Sequence, residues 1–182
     1  EKCHLGVLAS FPITDLTITL KAGRAHLKHT EGGDFREATY RAVRNALMKA
    51  ESVILEPIYQ FVLIVQESLS GRALYDIEKM NGNGRIEEIR NGYVTIRGRC
   101  PVSTINNYAQ EVRAYTHGEG SLSLFPDGYE RCHNEEEVIC NARYNAQNDQ
   151  DNPSGSVFCS HGSGFNVPWD KVEEYAHIKK ID

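Results

Sequence analysis

A chain of 182 residues, 40% hydrophobic and 25% charged, can bury one large core or two small ones. Its formal net charge of −5 excludes a protein that is basic all over. No run approaches the ~20 apolar residues of a membrane helix, and five irregularly spaced cysteines (Cys3, Cys100, Cys132, Cys140, Cys159) fit a reduced, cytoplasmic setting better than a disulfide framework. The start at Glu1 without a Met, and the lack of a signal-peptide pattern, read as an excised fragment.

The charge is uneven. From Lys21 to Lys49 seven Lys or Arg stand against three acids, a local +4; from Glu119 to Asp151 eight acids stand against two Arg, a local −6. A basic face with an acidic tail suits oriented docking on a polyanion.

In chain order, Phe11-Pro12 marks a break. Leu16, Ile18 and Leu20 then alternate with threonines, the pattern of a half-buried strand. Arg24, His26, Lys28 and His29 follow within six residues, in a loop without apolar periodicity. Gly32-Gly33 turns the chain into a helix, with Asp34 expected at the N-cap, Glu37 three residues on, and Phe35, Thr39, Ala42, Val43, Ala46, Leu47 and Ala50 on one face. A solvated loop is the ordinary reading of the basic stretch. The sharper one is a phosphate-contacting tip on a rigid mount.

Ile54 and Leu55 read as the last strand of a first unit, closed by Pro57, with the domain boundary near Glu56-Pro57. Residues 58–65 (IYQFVLIV) read as a central strand, and Ser68 caps a helix to Met80 that NGNG at 81–84 stops. A strand over 85–90, a hairpin turn at Asn91-Gly92, a strand over 93–100, a helix capped by Ser103 to Thr116 and a strand over 121–125 complete a β-α-β-β-α-β order. That order is ferredoxin-like, with both helices on one sheet face and the other face needing cover. Beyond Tyr129 a helix over 135–144, a mobile polar loop over 145–156 and a terminal helix over 168–178 are expected.

These pieces, in order, resemble the C-terminal part of translational GTPases of the elongation factor G type: SFPITD, GRAHLKH, the FREA helix, ILEP, GRALYDIEKMNGNGRIEEI, IRGRCPVSTINNYAQEVRAYTHGEG and LFPDGYE, spanning Ala9 to about Cys132. The HLKHTEGGDFR stretch and the C-terminal extension look like the tetracycline-resistance ribosomal protection proteins of the TetP-like group rather than the housekeeping factor.

The resemblance implies an α+β architecture of three parts. Residues 1–56 would be the C-terminal part of a domain IV-like ββαβ unit, similar to the second domain of ribosomal protein S5. Residues 57–130 would be a ferredoxin-like domain V, and 131–182 an extension with a terminal helix. It implies a ribosome-binding fragment that contacts rRNA of both subunits, and neither membrane nor DNA. The tip, Arg24, His26, Leu27, Lys28, His29 and Thr30, would reach the decoding region and promote tetracycline release. Lys79, Arg85 and His117 are the secondary rRNA candidates. The family's Gly-Arg-Gly reads Gly118-Glu119-Gly120 here, which leaves no cation for the phosphate contact that the resemblance implies at that point. No G-x-x-x-x-G-K-[ST] run occurs, so the fragment is expected to hold no cofactor and no catalytic residue. GTP and Mg would belong to an N-terminal domain of the full-length protein.

Two other readings stand beside this one: the same fragment of a housekeeping translocation factor, and a metal-dependent enzyme using Cys132, His133, Cys140, Cys159 and His161. Those five lack the paired C-x₂-C clips of common zinc modules, so ordinary reduced cysteines and no metal are expected. Gly162-Ser163-Gly164 lacks the nucleophile-elbow pattern, and His177 suits a helix C-terminus.

Overall fold

A computed structural model describes residues 3–25 and 30–176. The chain is mixed α+β and forms two compact units: Ile54–Glu135, and a unit made of Glu1–Val53 together with Glu136–Asp182.

In the Ile54–Glu135 unit, strands β1 (Leu55–Gln66), β2 (Asn83–Arg90), β3 (Tyr93–Pro101) and β4 (Ser121–Arg131) form an antiparallel sheet in the order β2-β3-β1-β4. Helix α2 (Ser70–Lys79) follows β1 through a 3-10 turn at Glu67–Leu69. Helices α3 (Val102–Ile105) and α4 (Tyr108–Tyr115) connect β3 to β4. This is the β-α-β-β-α-β order, with the second helix broken at Asn106-Asn107. Alternation along β1 sends Phe61, Leu63 and Val65 to one face, where they meet Val94 and Ile96 of β3, Ala73 and Ile77 of α2, and Ile105, Tyr108 and Val112. Each large apolar side chain buried there contributes roughly 1.5–3 kcal/mol before entropy is counted. The buried Tyr108 hydroxyl donates to Asp76 Oδ2 at 3.2 Å, and burial pushes its pKa well up.

Two local devices fix the register. Asn91 (φ 52°) and Gly92 (φ 78°) both take the left-handed conformation of a tight β2–β3 turn. Gly98 lies against Gly84 in the ladder, and a Cβ there would stand 1.8 Å from the Asn83 carbonyl oxygen. Leu55 opens β1, and Ile54 is buried in this unit. The expected last strand of the first unit is therefore the first strand of the second.

The other unit is built around α1 (Gly32–Lys49). Glu31, not Asp34, is the N-cap: Asp34 sits at the third helical position and accepts the Glu31 N–H at 2.9 Å. The buried stripe is also not the expected one. Phe35, Thr39, Ala42, Ala46 and Ala50 are exposed, while Val43 and Arg44 are buried and Tyr40, Leu47 and Met48 half-buried. The stripe turned inward is rich in polar side chains whose hydrogen bonds hold other segments. Residues 16–20 form no strand, and Leu16, Ile18 and Leu20 are 44%, 55% and 80% exposed, because no strand among the described residues pairs with them. The entry segment instead folds back on itself through a bridge between Leu5 and Pro12.

After α5 (Glu135–Ala142), the expected mobile loop carries no regular element yet is tied by hydrogen bonds. A hairpin unforeseen in the sequence follows, β5 (Ser156–Ser160) and β6 (Ser163–Val167). The terminal helix shrinks to a 3-10 turn at Trp169–Lys171 and α6 (Val172–Tyr175). Tyr175 closes on the hairpin, its ring 5.8 Å from Phe158 and 5.7 Å from Phe165. Among the described residues no helix is long and apolar enough to cross a membrane.

Candidate functional site

The basic loop leads directly into α1. Arg24 is exposed and Thr30 half-buried at its two ends. His26, Leu27, Lys28 and His29 lie outside the described residues, so their expected role rests on sequence alone.

What the structure adds is the mount. Four polar side chains of α1, at positions 41, 44, 45 and 49, line one stripe and hold other segments of the same unit. Arg41 Nη1 donates to the Gly155 carbonyl at 3.0 Å, Asn45 Nδ2 to the Trp169 carbonyl at 2.7 Å, and Lys49 Nζ pairs with Glu173 at 2.6 Å. Arg44, 4% exposed, is the hub. Its Nη1 donates to the carbonyls of Leu5 (2.7 Å) and Gly6 (3.3 Å), and its Nη2 to the Tyr144 hydroxyl, with Asp149 at 3.7 Å. The Tyr144 hydroxyl donates in turn to Asp149 Oδ2 at 2.6 Å. Asp149 also accepts the backbone N–H groups of Asp151 and Asn152, both at 2.9 Å. Burial alone would raise the Asp149 pKa, but the donors from Tyr144, Asn152 and Asp151 hold it below the usual carboxylate range. One buried guanidinium thus ties the entry segment and the C-terminal segment to the helix that carries the loop.

In the other unit the secondary candidates do not form one cluster. Lys79 and Arg85, both exposed, flank the turn between α2 and β2. His117, exposed and left-handed (φ 55°), precedes β4, whose first residue pairs with Ile64 near the far end of β1. Asn83 pairs with Arg99, and Arg99 with Gln60 in the middle of that strand, while Arg85 pairs with Arg97 and Arg97 with Val62. Lys79 and Arg85 therefore lie by β2 at one edge of the sheet and His117 by β4 at the other, across the order β2-β3-β1-β4. Glu119 accepts hydrogen bonds from Gln66 and from the Tyr93 hydroxyl, and its charge pushes the Tyr93 pKa up.

Sequence reasoning expected the open sheet face to need cover but missed the charged rows on it. Arg85, Arg97 and Val62 share one row across β2, β3 and β1, and Arg99, Gln60 and Phe125 another. Arg97 is paired with Glu87, and Arg99 with Asp127 and Glu130. The cations are thereby partly neutralised, though alternation along the strands would have placed them on one face.

The Cys/His set divides. Cys132 and His133 belong to the Ile54–Glu135 unit, and Cys140, Cys159 and His161 to the other. Cys140 and Cys159 are exposed and free.

Comparison with known proteins places both units. The family profile of Elongation factor G, domain IV matches residues 1–51, and that of Elongation factor G C-terminus matches residues 53–139. Elongation factor G 2 of Streptomyces coelicolor is 32% identical over 124 residues, covering 68% of this chain and 18% of that protein. A crystal structure of a Thermus thermophilus protein shares the fold, with a TM-score of 0.62 over 75% of this chain and 21% of that one, at 21% identity. The chain thus spans about a fifth of the length of the relatives it matches.

Proposed function

We propose that this chain, which joins an elongation factor G domain IV segment to an elongation factor G C-terminal domain, is the ribosome-docking part of a cytoplasmic translation factor of the tetracycline-protection type. The working end is the loop from Arg24 to Thr30. Its cations meet phosphates of the small-subunit decoding region, and its histidines stack on an unpaired base or donate to a sugar. In the full-length protein, GTP and Mg act in a separate domain, and these residues bind and position rather than catalyse.

The observation that carries this reading is the seam on α1. A tip that displaces a bound drug must hold its shape against the RNA, and Arg41, Arg44, Asn45 and Lys49 fasten residues from both ends of the unit along the supporting helix. The HLKHTEGGDFR stretch and the seam-bound segment after Tyr144 favour the protection-type reading. The similarity to an elongation factor G favours the alternative, a housekeeping translocation factor.

One paired experiment separates them: the full-length gene is expressed in a tetracycline-sensitive host and, separately, in a host depleted of its translocase. Protection without rescue of translocation is expected. Rescue without protection establishes the alternative, and neither effect, with the protein folded and bound to GTP, overturns both.

A further inference from the structure

Glu56, near the start of β1, is buried, and it carries no lysine or arginine ion pair among the described residues. Its ladder partner is another acid, Glu130. Its Oε1 accepts the His133 backbone N–H at 2.8 Å and lies 2.7 Å from His133 Nδ1; among the described residues Oε2 has only the Ser103 hydroxyl, at 3.4 Å. A carboxylate out of water needs a compensating positive charge. Cys132, also buried, completes the group, its thiol donating to Asn134 Oδ1 at 3.2 Å. One ligand atom from each of Glu56, Cys132 and His133 lies within 4.8 Å of the others.

We propose that Glu56, Cys132 and His133 form a binding site for a single zinc ion. Thiolate, imidazole and carboxylate are the donors zinc prefers, and three of them leave a fourth tetrahedral position for water. On binding, the Cys132 thiol gives up its proton to solvent and becomes the thiolate ligand. The imidazole takes its Nε2–H tautomer, so that the Nδ1 lone pair faces the metal where a hydrogen bond to Glu56 stood. The dication then neutralises carboxylate and thiolate together, which a single imidazolium cannot do.

The placement gives the site a role. Glu56 follows the point where the chain enters the Ile54–Glu135 unit, and Cys132-His133 precede the point where it leaves. The Cys132 N–H already bonds the Ile54 carbonyl at 2.8 Å. A metal there clips the entering and leaving segments of that unit to each other. No sequence spacing signals it, because Glu56 stands 76 and 77 residues from Cys132 and His133.

The test is titration of the full chain, under reducing conditions, with Co²⁺ as a spectroscopic stand-in and then with Zn²⁺. Expected is one equivalent of Co²⁺ with a thiolate-to-cobalt charge-transfer band. The band should disappear in Cys132→Ser. Zinc affinity should fall at least about tenfold in Glu56→Gln and His133→Gln, since even outer-shell losses cost that much. Cys140→Ser and Cys159→Ser should leave both unchanged. A wild-type protein without the band, or a band that survives Cys132→Ser, overturns the proposal. If the variants fail to fold, X-ray absorption of the zinc-loaded wild type decides: one sulfur neighbour at about 2.3 Å is expected, and a sulfur-free shell contradicts it.

Discussion

Each unit has its own internal physics. The Ile54–Glu135 unit has an apolar core in which Phe61, Leu63, Val65, Val94, Ile96 and Val112 are wholly removed from water. The unit around α1 has few buried apolar side chains, among them Ala9, Val43, Ala146 and Val167, and its inward helix face ends in a guanidinium and an amide bonded to backbone carbonyls. Apolar burial is non-directional and tolerates conservative repacking, whereas a polar seam depends on each donor finding its acceptor. The first suits a docking scaffold, and the second suits a support that must hold one loop in one geometry.

The contrast can be tested from its strong end downward. Leu63→Ala should cost on the order of 3–5 kcal/mol through the cavity it leaves. Gly98→Ala should be at least comparable, because the Asn83 carbonyl occupies the space the methyl needs. Both losses should appear as lost hydrogen-exchange protection in residues 54–135. Near-normal protection after Leu63→Ala would contradict the core described above.

Arg44→Ala should cost about 1–3 kcal/mol by leaving the half-buried Leu5 and Gly6 carbonyls and the Tyr144–Asp149 pair without their donor. Its effect should be confined to amides of residues 4–13, 32–49 and 144–155. Arg44→Lys should recover only part of the loss, since one ammonium cannot span the Leu5 carbonyl and Tyr144 together. Full recovery by Lys would show that charge, not fork geometry, holds the seam.

The pH dependence of the same unit follows from Asp149. Its folded pKa lies below the unfolded value. Its contribution is therefore complete above the ordinary carboxylate range and is lost as pH falls through the folded pKa. Asp149→Asn should flatten that part of the acid limb when protection at 144–152 is followed against pH. The smallest effect belongs to Lys49→Ala: its partner Glu173 is largely exposed, and removing such a pair should cost under about 1 kcal/mol and fade with added salt.

The same contrast decides what the sequence disclosed. Alternation along β1, the helical spacing of Ala73 and Ile77 and the Asn91-Gly92 turn are local patterns, so the β-α-β-β-α-β order could be read directly. The α1 stripe could not. A search for apolar periodicity selects Phe35, Thr39, Ala42 and Ala46, which are exposed, and passes over the polar positions 41, 44, 45 and 49 that make the contacts. Leu16, Ile18 and Leu20 have a strand's pattern, but no strand among the described residues pairs with them. The β5–β6 hairpin was obscured by a breaker-rich composition, in which the left-handed His161-Gly162 turn is the one local clue. The tip residues were legible as chemistry, while their helix-borne support depends on contacts more than 100 residues distant in the chain.

The central claim is that the loop from Arg24 to Thr30 is the working end. Its most direct test is ribosome-dependent function of the full-length factor carrying Lys28→Ala and His29→Ala together, at limiting factor concentration. Drug protection should fall sharply while GTP binding and melting temperature stay unchanged. The salt dependence of ribosome binding should drop by about one unit of slope for the lost phosphate contact. Full protection by the double variant, with an unaltered salt slope, would contradict it.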